Sequence, residues 1–101
     1  MIFLYTPCKD VSEAKEIGRA LVKKRLAACA NIFPITSVYM WKEKLTEDKE
    51  HVLLIKTTKS RAKKVMDEIK RLHSYELPCI ASFEVGCNSE YKNWVKEQVN
   101  E

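Results

Sequence analysis

Residues 29–57 read CANIFPITSVYMWKEKLTEDKEHVLLIKT, and the fold turns on this stretch. Ile32-Phe33, Val38-Tyr39-Met40-Trp41 and Leu45 are apolar or β-forming, and so is most of His51-Val52-Leu53-Leu54-Ile55-Lys56-Thr57. Two such runs joined by a polar segment predict a β-hairpin. Thr46-Glu47-Asp48-Lys49 supplies the polar residues and is the expected turn. Pro34 cannot donate to a ladder, so its strand is expected to bend, bulge or lie at a sheet edge there.

On either side of the hairpin the apolar period becomes helical. Val11, Ala14, Ile17, Leu21 and Val22 fall on one face, with Leu26 near the end. Asp10 and Glu13 have the spacing of a capping box at the start of this helix. Ala62, Val65, Met66, Ile69 and Leu72 make the apolar face of a second helix. Ser60 is its expected N-cap, and Asp67 with Arg71 its expected ion pair. Residues 2–7 predict a strand buried on both faces, and residues 79–85 another strand. Asn88 or Ser89 opens a last helix carrying Tyr91, Trp94, Val95 and Val99.

The order is β-α-β-β-α-β with an added C-terminal helix. Two split βαβ units joined by a hairpin make an α+β, ferredoxin-like sandwich, here one domain over residues 1–101. Its helices cover one sheet face. The hairpin carries Phe33, Tyr39, Met40, Trp41, Leu53, Leu54 and Ile55, too apolar a set for a free face and free edges. A homo-oligomer follows as the expectation, with neighbouring hairpins packed together. A closed trimer is a natural solution.

Composition narrows the function. Hydrophobic residues are 46% and charged residues 32% of the 101, enough for a core and unlike a disordered chain. The net charge is +4, from 18 basic and 14 acidic residues, and the two signs are mixed along the helices. That is not the basic stripe of a nucleic-acid binder, and the strand at 51–56 lacks the stacking aromatics of an RNA-binding sheet. No apolar run approaches the ~20 residues needed to span a bilayer. Met1-Ile2-Phe3-Leu4-Tyr5 reads as a strand, not a signal peptide. No nucleic-acid or membrane partner and a cytoplasmic location are expected. With only two glycines a Gly-rich phosphate cradle cannot form, and the hydrolase and metalloprotease signatures are absent. A binding protein without an organic cofactor is expected, not an enzyme.

The chemistry-bearing residues are two histidines and four cysteines. His73 closes the second helix. It is either a cation favoured by the helix C-terminus, or a ligand or proton-handling group beside Tyr75 and Glu76. Cys29 sits between alanines at a helix-to-strand junction, as a packed thiol or a ligand. Cys8 lies in the turn after the first strand. No C-x-x-C spacing supports a zinc finger. A thiolate with an imidazole suits copper or zinc.

Five stretches resemble one family in the right order. Lys24-Arg25-Leu26-Ala27-Ala28-Cys29-Ala30-Asn31 resembles the K-x-L-A-A-C-x-N segment of the CutA divalent-cation-tolerance family. Ser37 to Lys44 is similar to its S-x-Y-x-W-x-G-K hairpin, and Glu50 to Thr58 to its E-x-x-x-x-x-K-T-T strand. His73-Ser74-Tyr75-Glu76-Leu77-Pro78-Cys79-Ile80 resembles H-P-Y-E-x-P-x-I, and Tyr91 to Trp94 resembles Y-x-x-W. The resemblance implies a ferredoxin-like subunit of a cytoplasmic homotrimer connected with tolerance of divalent metals, notably copper. Metal proposals for that family centre on a Cys at the end of the first strand and on tandem His before Pro-Tyr. Here Thr6 stands at the Cys position, with Cys8 two residues on, and the tandem His reads Leu72-His73. Ser74 replaces the usual Pro and Glu43 the usual Gly.

Two readings follow. In one, a trimer binds copper or another divalent metal through His73 with Cys29 or Cys8, and Glu76 is an outer partner. In the other, a PII-like sensor takes a small molecule or anion in a cleft between subunits, lined by Tyr39, Trp41, His73, Tyr75 and nearby basic side chains. A scaffold for interactions, without a small ligand, is the plainest alternative.

Overall fold

Seven elements follow one another along residues 1–101, all of which the computed structural model describes. They are β1 (Ile2–Cys8), α1 (Val11–Lys23), β2 (Cys29–Trp41), β3 (Lys44–Thr57), α2 (Ala62–Leu72), β4 (Ala81–Glu84) and α3 (Ser89–Gln98). The strands form one antiparallel sheet in the order β2-β3-β1-β4, the ferredoxin-like arrangement expected from the sequence.

Alternation along β1 sets the layers. Ile2, Leu4, Thr6 and Cys8 are buried, while Phe3, Tyr5 and Pro7 are only half-buried. The strand is therefore two-sided rather than buried on both faces. Across the ladder Leu4 meets Ile55 and Thr6 meets Leu53. Ala14, Ile17 and Leu21 of α1 and Val65 and Ile69 of α2 close over these residues. Leu53 and Ile55 thus belong to the subunit core and not to the open face. The helix sits low because residue 18 has no side chain. A Cβ on Gly18 would come within 3.1 Å of Ala30 Cβ and 3.3 Å of Leu53 Cδ1.

The hairpin turns earlier than the polar run suggests. Register holds from Cys29–Lys56 out to Trp41–Lys44, so Thr46 to Lys49 lie within β3. The turn is Lys42-Glu43, with φ of 48° and 67°. Two successive residues at positive φ define a type I′ turn, whose twist matches the strands. The usual Gly at the Glu43 position was the available signal. Pro34 continues the register opposite His51 without a bulge, because β2 is an edge strand and its missing N–H faces outward.

Several local expectations shift. Asp10 Oδ1 accepts from the Glu13 N–H at 2.8 Å, but Glu13 Oε1 reaches the N–H of Lys9 (3.0 Å) instead of Asp10. Ser60 does not cap α2. Its hydroxyl meets the Glu101 carboxylate, and Arg61 is the cap residue. Asp67 pairs with Lys63, while Arg71 pairs with Glu68. Glu68 also takes Lys24 from the end of α1, at 2.8 Å, which ties the two helices. β4 is short, because it pairs only with Ile2 to Tyr5.

Beyond the Cys8–His51 pair, β2 and β3 pair only with each other. This two-stranded arm contributes to a long molecule, 45 × 24 × 20 Å. Its apolar residues remain open to solvent: Val38 is 60% exposed, Met40 61% and Leu45 73%.

Two outcomes test these local readings. Glu43→Gly relieves a left-handed backbone penalty of ~1 kcal/mol and is expected to stabilise the chain by up to that amount in urea unfolding. The Lys24 ammonium, with Arg71 also beside it, holds the Glu68 carboxyl below its usual value. A depressed carboxyl pKa contributes stability above the unfolded value, near 4.5, that is lost as pH falls through the folded one. Glu68→Gln should therefore lower the thermal midpoint near neutrality, with the difference from the parent closing in acid.

Candidate metal and ligand site

Three elements end at the same place. β1 finishes with Cys8, α1 carries Glu13 in its first turn, and α2 is closed by His73, whose N–H bonds Ile69 O at 2.9 Å. One ligating atom from each of Cys8, Glu13 and His73 lies within 4.8 Å of the others. The structure thus brings together His73 and Cys8, and adds Glu13. The sequence marks Glu13 only as a capping residue. Yet that role fixes its carboxylate at the start of α1, just after Cys8.

Each group already has a partner. His73 Nε2 lies 2.8 Å from Pro7 O, and its Nδ1 accepts from the Tyr75 N–H at 3.1 Å. A carbonyl only accepts, so Nε2 carries a hydrogen and donates it to Pro7 O. Glu13 Oε2 accepts from the Ser74 N–H at 2.9 Å, and Oε1 from Lys9. Burial alone would raise the Glu13 carboxyl. The bonds from Ser74 and Lys9, with His73 nearby, hold it below its usual value. Cys8 is fully buried, with its thiol 3.8 Å from Thr6 O. Burial first, and then the charges of Glu13, Glu50 and Asp10, push its pKa up to about 12.

Cys29 stands elsewhere. It opens β2 opposite Lys56, whereas Cys8 lies opposite His51 further along β3. The trio and Cys29 are therefore at different ends of the sheet.

Tyr75 links the trio to a second feature. Its N–H holds His73, while its hydroxyl donates to Glu50 Oε2 at 2.6 Å. Burial and the Glu50 carboxylate both raise the Tyr75 phenol. Glu50 is on β3, in register with Ile35. Further out, the Tyr39 hydroxyl donates to Asp48, which raises the Tyr39 phenol as well. Tyr39, Trp41, Tyr75 and Glu76 line one cleft of about 520 Å³ between the arm and the loop after α2. His73 is not among the lining residues. The charged ones are Asp48, Glu50 and Glu76, with no Lys or Arg. Within a single subunit the cleft suits a cation or a neutral donor better than an anion.

A profile described as "CutA1 divalent ion tolerance protein" matches residues 2–98. The chain belongs to the CutA1 family. A divalent-cation tolerance protein CutA of Thermotoga maritima is 42% identical over 98% of this chain and 99% of its own length. The structure described as the periplasmic divalent cation tolerance protein CutA of Archaeoglobus fulgidus superposes with a TM-score of 0.93, at 37% identity over 98% of this chain and 99% of the other. The PII-like protein CutA of Nostoc sp. PCC 7120, in apo form, gives 0.91 at 29% identity over 98% and 97%. The Thermotoga maritima and Archaeoglobus fulgidus relatives are named for divalent-cation tolerance. No helix of this CutA chain is long and apolar enough to cross a membrane.

Exposure orders the four thiols, all of which are free. Exposed Cys79 should be alkylated fastest and Cys29 and Cys87 more slowly. Buried Cys8 should react slowest of the four. Peptide mass spectrometry after timed iodoacetamide treatment reads this order, and rapid labelling of Cys8 in the native protein would contradict the packing.

Proposed function

We propose that this CutA-family chain serves divalent-metal tolerance by taking up the metal itself, at Cys8, Glu13 and His73. The observation that supports this is the convergence of a sulfur, an imidazole nitrogen and a carboxylate oxygen within 4.8 Å. That donor set suits copper or zinc better than a hard ion such as calcium. His73 would offer Nδ1 once Tyr75 releases it, since Nε2 bears the hydrogen held by Pro7 O. Breaking the Tyr75 bond costs about 1 kcal/mol net. Cys8 would bind as thiolate, its proton passing to solvent. A site that must give up existing bonds takes metal reversibly, which fits buffering better than permanent retention.

The working unit in this proposal is a homotrimer in the cytoplasm. An isolated two-stranded ribbon is marginal in water, and this arm exposes Val38, Met40, Trp41 and Leu45. Packing arms between subunits would cover them. Four unpaired cysteines fit a reducing compartment.

The test is competition for copper and zinc against a chelator of known affinity, on reduced protein of measured mass in solution. Stoichiometric uptake is expected, weakened at least about tenfold by His73→Ala, Cys8→Ser or Glu13→Gln and unchanged by Cys29→Ala. Affinity insensitive to the first three variants would remove the trio from the site. A monomeric mass would remove the trimer.

A further inference from the structure

At the far end of the sheet, Lys56 lacks a counter-ion. It is half-buried on the open face, between Phe3 on β1 and Cys29 on β2 in the ladder. No carboxylate lies within 4.0 Å of its ammonium, although five other basic side chains have such partners. What it has are π faces and a phenol. Its Nζ lies 5.8 Å from the Phe3 ring centre, 5.3 Å from that of Tyr91 and 3.5 Å from Tyr91 Oη. Ring faces attract a cation, but they leave its net charge uncompensated.

The polar groups around it are a phenol, an amide and the Cys29 thiol, none of them anionic at neutral pH. Lys56 donates to Tyr91 Oη, and the Tyr91 phenol also bonds the Cys29 side chain, the one neutral acceptor an incoming oxyanion would have to replace. Burial, and then the neighbouring Cys29, raise the Tyr91 phenol, so it keeps its hydrogen at neutral pH. The side-chain amide of Asn31 points its N–H₂ at Cys29 Sγ, 4.0 Å away. A half-buried cation with no acidic side chain in reach is matched by an acceptor that brings negative charge.

We propose that Lys56 Nζ and Tyr91 Oη form an oxyanion site that takes the carboxylate or phosphate group of a small soluble ligand, with the rings of Phe3 and Tyr91 as its apolar walls. The site shares no residue with the Cys8–Glu13–His73 trio, so it stands or falls independently of metal uptake. It also lies away from the acidic cleft between the arm and the loop after α2. Two built-in reporters adjoin it. Trp94 stacks on Tyr91 at 5.4 Å between ring centres, and Cys29 sits across the ladder from Lys56.

Inorganic phosphate and succinate serve as probes, each titrated at constant ionic strength against chloride. In the parent protein at least one is expected to change Trp fluorescence saturably. The same probe should slow iodoacetamide labelling of Cys29 while Cys79 keeps its rate. Both effects should weaken at least about tenfold in Lys56→Gln and persist in Lys56→Arg. Which probe protects tells phosphate from carboxylate. Unprotected Cys29 in the parent protein would overturn the site, and that measurement needs no variant to fold. Protection that survives Lys56→Gln would overturn it too. An unresponsive parent whose Lys56→Gln variant changes its mass in solution would assign the counter-ion to a carboxylate of a second copy instead.

Discussion

The register of β3 against β1 is the constraint on which everything else rests. Leu4 opposite Ile55 and Thr6 opposite Leu53 put one set of side chains under α1 and α2. The same alternation sends Glu50, Val52, Leu54 and Lys56 to the other face. A slip by one residue would exchange the sets, placing a carboxylate and an ammonium in the core. Burial of Leu53 and Ile55 therefore fixes Glu50 at the arm and Lys56 at the far end. Gly18 allows α1 to approach closely enough for that burial.

From this register come two polar districts on one subunit. Near the end of β1, Cys8, Glu13 and His73 converge, and each of the three is already engaged in hydrogen bonds. Near its start, Lys56 bonds the Tyr91 phenol and has no carboxylate within ion-pair distance. The contrast is electrostatic. The first district is anionic, with Glu50 and Asp48 following it along the arm, and the second is cationic. Tyr75 bridges the trio and the arm by holding His73 with its N–H and Glu50 with its hydroxyl. Any rearrangement at His73 would reach the acidic cleft through one residue.

The arm states the second constraint. Its two strands satisfy each other's backbone but bury little of their own surface. Interdigitating Val38, Met40 and Leu45 with like surfaces would supply what a third strand or a helix supplies in the body of the sheet. The family relationship, with TM-scores above 0.9 to CutA structures, shows that such an arm belongs to a recurring fold and is no accident of this chain.

Periodicity alone determined the element order, the ferredoxin-like sheet and the core helices' apolar faces, because those signals are local and repeat at 3.6 or 2 residues. The linear motifs determined the family. Boundaries that depend on backbone sign rather than polarity were not legible. Thr46 to Lys49 is polar because the arm is solvated on both sides, while Lys42-Glu43 turns because both residues adopt positive φ. Ion pairs were misassigned for a similar reason: Glu68 reaches Lys24, and that partner comes from another helix. The site divided along the same line. His73 and Cys8 were readable as chemistry, but their meeting with Glu13, and the distance of Cys29 from them, are products of the sheet. Sequence lists donors and tertiary structure decides which share a volume, because residues far apart in the chain meet only when strand register and helix packing bring their ends together.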